Sequence, residues 1–330
     1  MAGYLIRRIL LGLLTLLLIT MVVFALVRFM PGSPLDTDPA MMNPDKMPSA
    51  EDLERIKKAY GLDKAVHEAY WDWLKGLATG DLGISFNEKK PVAEVIGSRV
   101  WATLLLTVPS LVIAYLLAIP IGLWSTVRSG KLDERIAGVS LYMLYAIPSF
   151  IAALFLQLLF AVKLSDTAWE LPLMGMHHSD YAEMGLIDQT WDLLQHMLLP
   201  VICFTYVSLA YYSRFIKANM EEVIRQDYIR TAFAKGLSEK RVIWVHAVRN
   251  SLIPIASGIG YILATIIAGS YFIELIFNIN GFGKMGFQAI LDRDYPIIMG
   301  FLVIVVLIRL LANLLSDLTL AAVDPRIRFK

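Results

Sequence analysis

Gly281-Phe-Gly283-Lys-Met-Gly286 has the spacing of the glycine-rich turn that brings backbone N–H groups up to a dinucleotide pyrophosphate. That chemistry requires a strand before the turn, a helix after it and an acidic residue about twenty positions further on. Here a long apolar run precedes the glycines, and the position where the acid should stand falls in another, so the segment reads as a turn. Gly283-Lys284 lacks the leading Gly and the Ser or Thr of a phosphate-binding loop. His177 and His178 carry imidazoles, but adjacent histidines without HExxH spacing make a weak metal pattern, and no metal site is expected. Cys203 is the single cysteine, which excludes an internal disulfide framework, CxxC metal sites and redox pairs; in its apolar run it reads as a small core residue. No nucleophile elbow or paired-carboxylate pattern is present. The expectation is no catalytic residue and no cofactor bound by this chain.

The elements around these residues are set by composition. Of 330 residues, 57% are hydrophobic and 18% charged, with mean hydropathy +0.60, against roughly 45–50% and 25% in soluble domains. The net charge of +1 supplies no basic field for nucleic acid. Six stretches are long enough to cross about 30 Å of hydrocarbon: Ile9–Met30, Trp101–Trp124, Ile136–Val162, Leu193–Tyr212, Ser251–Phe277 and Pro296–Ala322. The first is too long for the apolar core of a secretion signal and lacks a small-residue cleavage site, so it counts as a span. The expected fold is all-α and polytopic.

Basic residues orient the spans. The Ser125–Arg135 loop carries Arg128, Lys131 and Arg135, and the Ser213–Asn250 loop is rich in Lys and Arg. Leu164–Asp192 has neither, and Asn278–Tyr295 has only Lys284 and Arg293. The tail ends in Arg326, Arg328 and Lys330. Basic and non-basic loops alternate, which predicts both termini on the cytoplasmic side. The expected division is 1–30 for the N-terminus and first span, 31–100 for an extracytoplasmic cap, 101–322 for a five-helix core, and 323–330 for a cytoplasmic tail. The cap should be folded: Ser49-Ala-Glu-Asp52 resembles a capping box, Gly61 stops that helix, and a second runs over Val66–Ala78 toward Gly80.

Within the spans, Pro109, Pro120, Pro148 and Pro200 each remove a backbone donor. Ala256, Gly260, Ala264 and Ala268 form a small-residue ladder, serving either packing within the chain or a subunit seam. Arg309 lies near the middle of the last span with Asn313 and Asp317 on the same face. Two readings stand: a residue lining a path or gate with Asn313, or an arginine paired inside the bundle. Glu274, near a span end, is expected to snorkel.

One polar segment has an ordered pattern. Gln226–Lys235 reads as a short helix with Tyr228, Ile229, Ala232 and Phe233 on one face, Asp227 in its first turn and Gly236 as its stop. It could lie on anionic lipid or seat a cytoplasmic partner, and periodicity does not choose.

The segment resembles the cytoplasmic EAA loop of ATP-binding cassette importer permeases. Arg230-Thr231-Ala232 stands at the Glu-Ala-Ala positions and Gly236 at the glycine; YIRTAFAKGLSEKRVIWVHAVRNSLIP is similar to the version in dipeptide and oligopeptide permeases. The likeness extends along the chain through YLIRRIL, MPGSP, YGLDKAVHEAY, GDLGISF, AIPSF, ELIFNINGFGKMGFQAILDRDYP and DPRIRF, with Asn280 where proline is common. It is that of the first permease subunit of the dipeptide, oligopeptide and nickel branch, a type I importer fold in the bacterial inner membrane. The resemblance implies a second permease subunit, two cytoplasmic ATPases that use ATP and Mg2+, and an extracytoplasmic solute-binding protein. It implies ATPase coupling through Tyr228, Ile229, Thr231, Ala232, Phe233 and Gly236. Arg309 stands where relatives are expected to be apolar.

An ion channel or secondary transporter also gives six spans, but should place paired ionisable groups near the midplane, where only Arg309 qualifies. A membrane-embedded hydrolase lacks its catalytic set.

The alternation of basic loops makes a direct prediction. Single cysteines at Ser49, Ser129, Ser179 and Ser238, in a Cys203-free background, should divide into two classes. An impermeant thiol reagent on whole cells, with outer-membrane passage ensured, should label only the first and third. Labelling of Ser129→Cys in sealed cells would overturn the orientation.

Overall fold

The computed structural model describes residues 2–32, 34, 49–59, 61–238 and 241–323. The basic residues of the tail, the DPRIRF block and most of the MPGSP–cap junction lie outside them. The described residues are helical, apart from turns and an isolated bridge between Ile84 and Pro91.

Four helices are long and apolar enough to cross a membrane: α1 (Ala2–Phe29), α4 (Val92–Val127), α7 (Leu186–Ile224) and α14 (Tyr295–Val323). Between the first two lie α2 (Ala50–Ala59) and α3 (Val66–Ala78). The third expected span is a bent pair, α5 (Leu132–Ala146) and α6 (Ser149–Gln157), with a π-helical turn to Lys163 and a 91° bend. Pro148 sits at the bend and forces Ile147 into an extended conformation, φ −77° and ψ 119°.

The fifth expected span departs from expectation. Ser251–Phe277 is divided among α9 (Val248–Ser251), α10 (Ile253–Ser257), α11 (Ile259–Ala268) and α12 (Tyr271–Ile276). Gly258 interrupts it once, and Gly269, at φ +62° and ψ −160°, interrupts it again in a region open to glycine. Counting the bent pair as one, the described residues hold up to five spans by length and composition.

Side-chain contacts fix the direction of each helix. α4 and α7 run parallel: Ser110 Oγ donates to the Val201 carbonyl at 3.3 Å, a Cβ on Gly122 would overlap Ile216, and Ser129 Oγ donates to Glu221 at 3.2 Å. α5 runs back along α7, with Lys217 bonded to Glu134 at 2.6 Å and Tyr206 to the Ile147 carbonyl at 2.7 Å. α1 lies antiparallel to α14: Tyr4 Oη bonds Asp317 at 2.7 Å and Arg8 pairs with it at 2.9 Å, while Gly12, further along α1, faces Leu310, nearer the start of α14. The starts of α1 and α5 and the ends of α4, α7 and α14 therefore share one end of the bundle.

The segment after α1 packs on the opposite end. α2 and α3 close with matching turns: Leu62 N–H reaches the Lys57 carbonyl at 2.8 Å, and Asp81 N–H the Gly76 carbonyl at 2.9 Å, with Gly61 and Gly80 at positive φ. Tyr70 Oη donates to the Leu17 carbonyl at 3.0 Å, and its ring meets Phe24 and Trp73. Asp294, buried just before α14, accepts from Ser85 Oγ and from Asn87 N–H.

Glu274 does not snorkel. It is fully buried at 0% exposure, with its carboxylate accepting from Thr103 Oγ1 at 2.9 Å and from Lys284 N–H at 2.7 Å. Thr103 in turn accepts the Phe282 N–H at 2.7 Å. The carboxylate thus joins α4, α12 and the start of α13 (Phe282–Leu291), where negative charge complements exposed N–H groups. A Cβ on Gly269 or Gly281 would overlap it, so both positions are small for a steric reason.

Glu274→Ala should strip the acceptor from these buried donors, at about 1–3 kcal/mol for each group left unsatisfied. Glu274→Gln keeps the volume and one acceptor oxygen and should lose less. Thermal unfolding of the purified protein in detergent measures this. An alanine variant that melts with the wild type would show that the carboxylate does not hold the break together.

Candidate functional site

The amphipathic segment expected at Gln226–Lys235 is α8 (Asp227–Ala234). Asp227 stands in its first turn and Thr231 Oγ1 bonds back to the Asp227 carbonyl at 2.9 Å. Gly236, at φ +76°, ends it: its N–H reaches the Phe233 carbonyl at 2.9 Å, and Leu237 N–H reaches that of Ala232 at 3.4 Å. The helix follows α7 at the end of the bundle that also holds the ends of α4 and α14.

Its apolar residues do not act as one outward face. Ile229 and Ala232 are 1% and 8% exposed and pack with Ile216, Met220, Val242 and Ala247 of the same chain. Tyr228 and Phe233 are 43% and 46% exposed, and Thr231 is exposed too. Asn250 donates to Tyr228 Oη at 3.0 Å. Ile229 and Ala232 are therefore the seat of the helix on its own bundle, while Phe233, with Thr231, is what it offers outward. Periodicity at 3.6 residues groups neighbours within about 100° but does not say what covers them.

Arg309 and Asn313 fall in different surroundings. Arg309 is exposed and lines a cavity with Ala264, Ala268, Gly269 and Val305, between α11 and α14. Asn313 lines the groove between α14 and α1 with Arg8 and Gly12. Asp317, on the same helix face, is engaged by Tyr4 and Arg8. The small-residue ladder packs inside the chain at Gly260, where a Cβ would overlap the Ala312 carbonyl of α14.

A second cavity lies between α4, α7 and the break at Gly269, lined by Thr107, Ser110, Cys203, Ser208 and Ser270. Its hydroxyls are partly committed: Thr107 Oγ1 donates to the Ile266 carbonyl at 2.7 Å and Ser110 Oγ to that of Leu106. Apolar side chains share the lining, with Leu111, Phe204, Val207 and Ile273 facing the same space. Cys203 is buried, as expected for a core position.

Sequence reasoning assigns Glu274 only a snorkelling place at a span end and misses its buried role. A usable signal existed: one carboxylate in an apolar run, with Gly269 five positions before it and Gly281 seven after. A grouping that spacing did not reveal is His178 with Asp192 and His196.

Comparison with known proteins agrees with this architecture. The family described as "Binding-protein-dependent transport system inner membrane component" matches residues 118–329, and its N-terminal companion matches residues 1–107. The oligopeptide transport system permease protein AppB of Bacillus subtilis is 36% identical over 331 residues, covering 100% of both chains. The dipeptide transport system permease protein DppB of Escherichia coli K12 is 35% identical over 343 residues, also at 100% of both. The glutathione transport system permease protein GsiC of Shigella flexneri is 32% identical over 331 residues. An inward-facing structure of the MetNI methionine ABC transporter aligns with TM-score 0.53 and 16% identity, covering 70% of this chain and 97% of that one. That likeness concerns the fold, and none of these matches supports a channel or secondary transporter. The chain belongs to the binding-protein-dependent inner-membrane transport components, the permeases of ATP-binding cassette importers.

Proposed function

We propose that the chain forms half of the translocation path of an importer for peptides or related small solutes, with a second homologous permease subunit as the other half. Relatives named for oligopeptides, dipeptides and glutathione support that solute class. The path would be lined by the small polar groups between α4 and α7, and the segment 31–100 would face the solute-binding protein. Six crossings with both ends cytoplasmic fit the helix directions if the segment from α9 to α12 serves as a broken fifth crossing. Two cytoplasmic ATPases would use ATP and Mg2+, and this chain would bind neither.

The observation that carries the reading is α8. It is anchored by Ile229 and Ala232 on the ends of α4 and α7, stopped by Gly236, and presents Phe233 outward. A helix seated this way transmits the position of a partner to the bundle, because it moves with the helices beneath it. Coupling requires contacts that differ between two states of the partner, and a rigid knob supplies them.

Burial separates two variants. Ala232→Asp places an unpaired charge in this chain's own core, at a cost on the order of several kcal/mol, so it reports on folding. Phe233→Asp alters only the exposed side. Phe233→Asp should insert normally yet lose at least about 90% of uptake, with substrate-stimulated ATP hydrolysis uncoupled or the ATPases missing from the purified complex. Gly236→Val forces a β-branched residue to positive φ, at about 1–2 kcal/mol, and should weaken the same readouts. A helix lying on lipid predicts normal transport in Phe233→Asp, since the spans still hold the protein. Normal uptake with normal ATPase recovery in that variant would sink the coupling assignment.

A further inference from the structure

His178, Asp192 and His196 bring two imidazoles and a carboxylate together, with one ligand atom from each lying within 4.8 Å of the others. Asp192 and His196 are one turn apart near the start of α7, and both are buried. His178 comes from the preceding turn, and its side chain is 54% exposed. Its Nδ1 contacts Asp192 Oδ1; His196 Nδ1 donates to the Asp192 backbone carbonyl at 2.9 Å and lies 3.3 Å from Oδ1, so Nε2 is the His196 nitrogen with a lone pair for a ligand.

The surroundings orient the group. The His178 backbone N–H donates to Asp192 Oδ2 at 3.0 Å, which turns Oδ1 toward the rings. The two imidazoles meet edge to face, with centroids 4.7 Å apart. His177 points elsewhere, its ring stacked on Tyr181 at 4.8 Å. Gln189 pins the intervening turn by donating to the carbonyls of Tyr181 and Met184. An orienting hydrogen bond behind a ligating carboxylate is the usual support of a metal centre.

We infer that His178, Asp192 and His196 form a binding site for a late first-row divalent cation of the zinc class. Two nitrogens and one oxygen suit such borderline ions and not calcium or magnesium, which take oxygen ligands. Three protein ligands leave a coordination position for water, so the ion is exchangeable. His178, the exposed member on a turn, is the ligand free to close on it. Binding displaces the proton that His178 Nδ1 directs at the Asp192 carboxylate. The bound ion bridges the 164–185 segment to α7, and this holds independently of the coupling reading.

Zn2+ is the probe. The full chain in nanodiscs, titrated against a chromogenic zinc chelator, should bind one ion per chain in a way that His178→Ala weakens at least tenfold. Because His178 is exposed, that variant keeps the fold, whereas Asp192→Asn tests the buried ligand and should weaken binding further. His177→Ala and His67→Ala should stay within twofold of the wild type. Co2+ substitution should give a visible ligand-field band that His178→Ala removes. Equal zinc affinity in the wild type and His178→Ala, or an equal loss in His177→Ala, would overturn the site.

Discussion

In hydrocarbon no water takes up a backbone N–H or C=O, so every interruption of a helix needs a partner from within the protein. The break between α11 and α12 shows how this chain meets that demand. Thr107 Oγ1 donates to the Ile266 carbonyl at the end of α11, and the Glu274 carboxylate beside the break takes up the start of α13, accepting from Lys284 N–H and Thr103 Oγ1 while Thr103 accepts from Phe282 N–H. A buried carboxylate would be costly alone, but hydrogen-bonded donors at the start of a helix offset that cost. Its presence then dictates its neighbours: a side chain at Gly269 or Gly281 would occupy the same space. One acid therefore makes the break, the start of α13 and the neighbouring part of α4 a single mechanical unit.

That unit continues through α4 into the parallel pair it makes with α7. Gly122 lets α4 approach so closely that Ile216 fills the place of a side chain, and Ser110 and Thr205 add bonds across the seam. Close-packed interiors transmit displacement instead of absorbing it. At the far end of the pair the same interface, through Ile216 and Met220, becomes the bed on which Ile229 and Ala232 rest. Packing therefore runs continuously from α8 to the helices beside the small-residue cavity.

Much of this was legible in the residues. Gly61, Gly80 and Gly236 end their helices at positive φ, and a glycine after an amphipathic run announces that geometry. Pro148 marks the 91° bend because it constrains the residue before it. The break at Gly269 was hidden, since hydropathy averages an apolar run and does not register one backbone torsion. Glu274 reads as an acid at a span end because its side-chain partner Thr103 lies 171 positions away, and its other donor, Lys284, is a backbone N–H that residue types do not announce. Asp192 and His196 stand at helical spacing, but the third member, His178, joins them through the fold of a turn. Periodicity placed Tyr228, Ile229, Ala232 and Phe233 on one side of a helix and was silent on which of them its own bundle would cover.

The division of α8 follows from its length. Eight residues are far too few to hold a helix in water, where about 12–15 remain marginal, so its order comes from packing. Ile229 and Ala232 provide that packing, and the turn at Gly236 satisfies the carbonyls that the last turn leaves open. With those two residues committed inward, the roughly 100° step between successive positions turns Tyr228 and Phe233 to the margins of the buried stripe. Tyr228, engaged by Asn250 at its hydroxyl, and Phe233 together form the half-exposed aromatic surface of a helix packed on the bundle. Exposed aromatics carry no message by themselves; fixed on a capped, anchored helix, these two present a rigid surface.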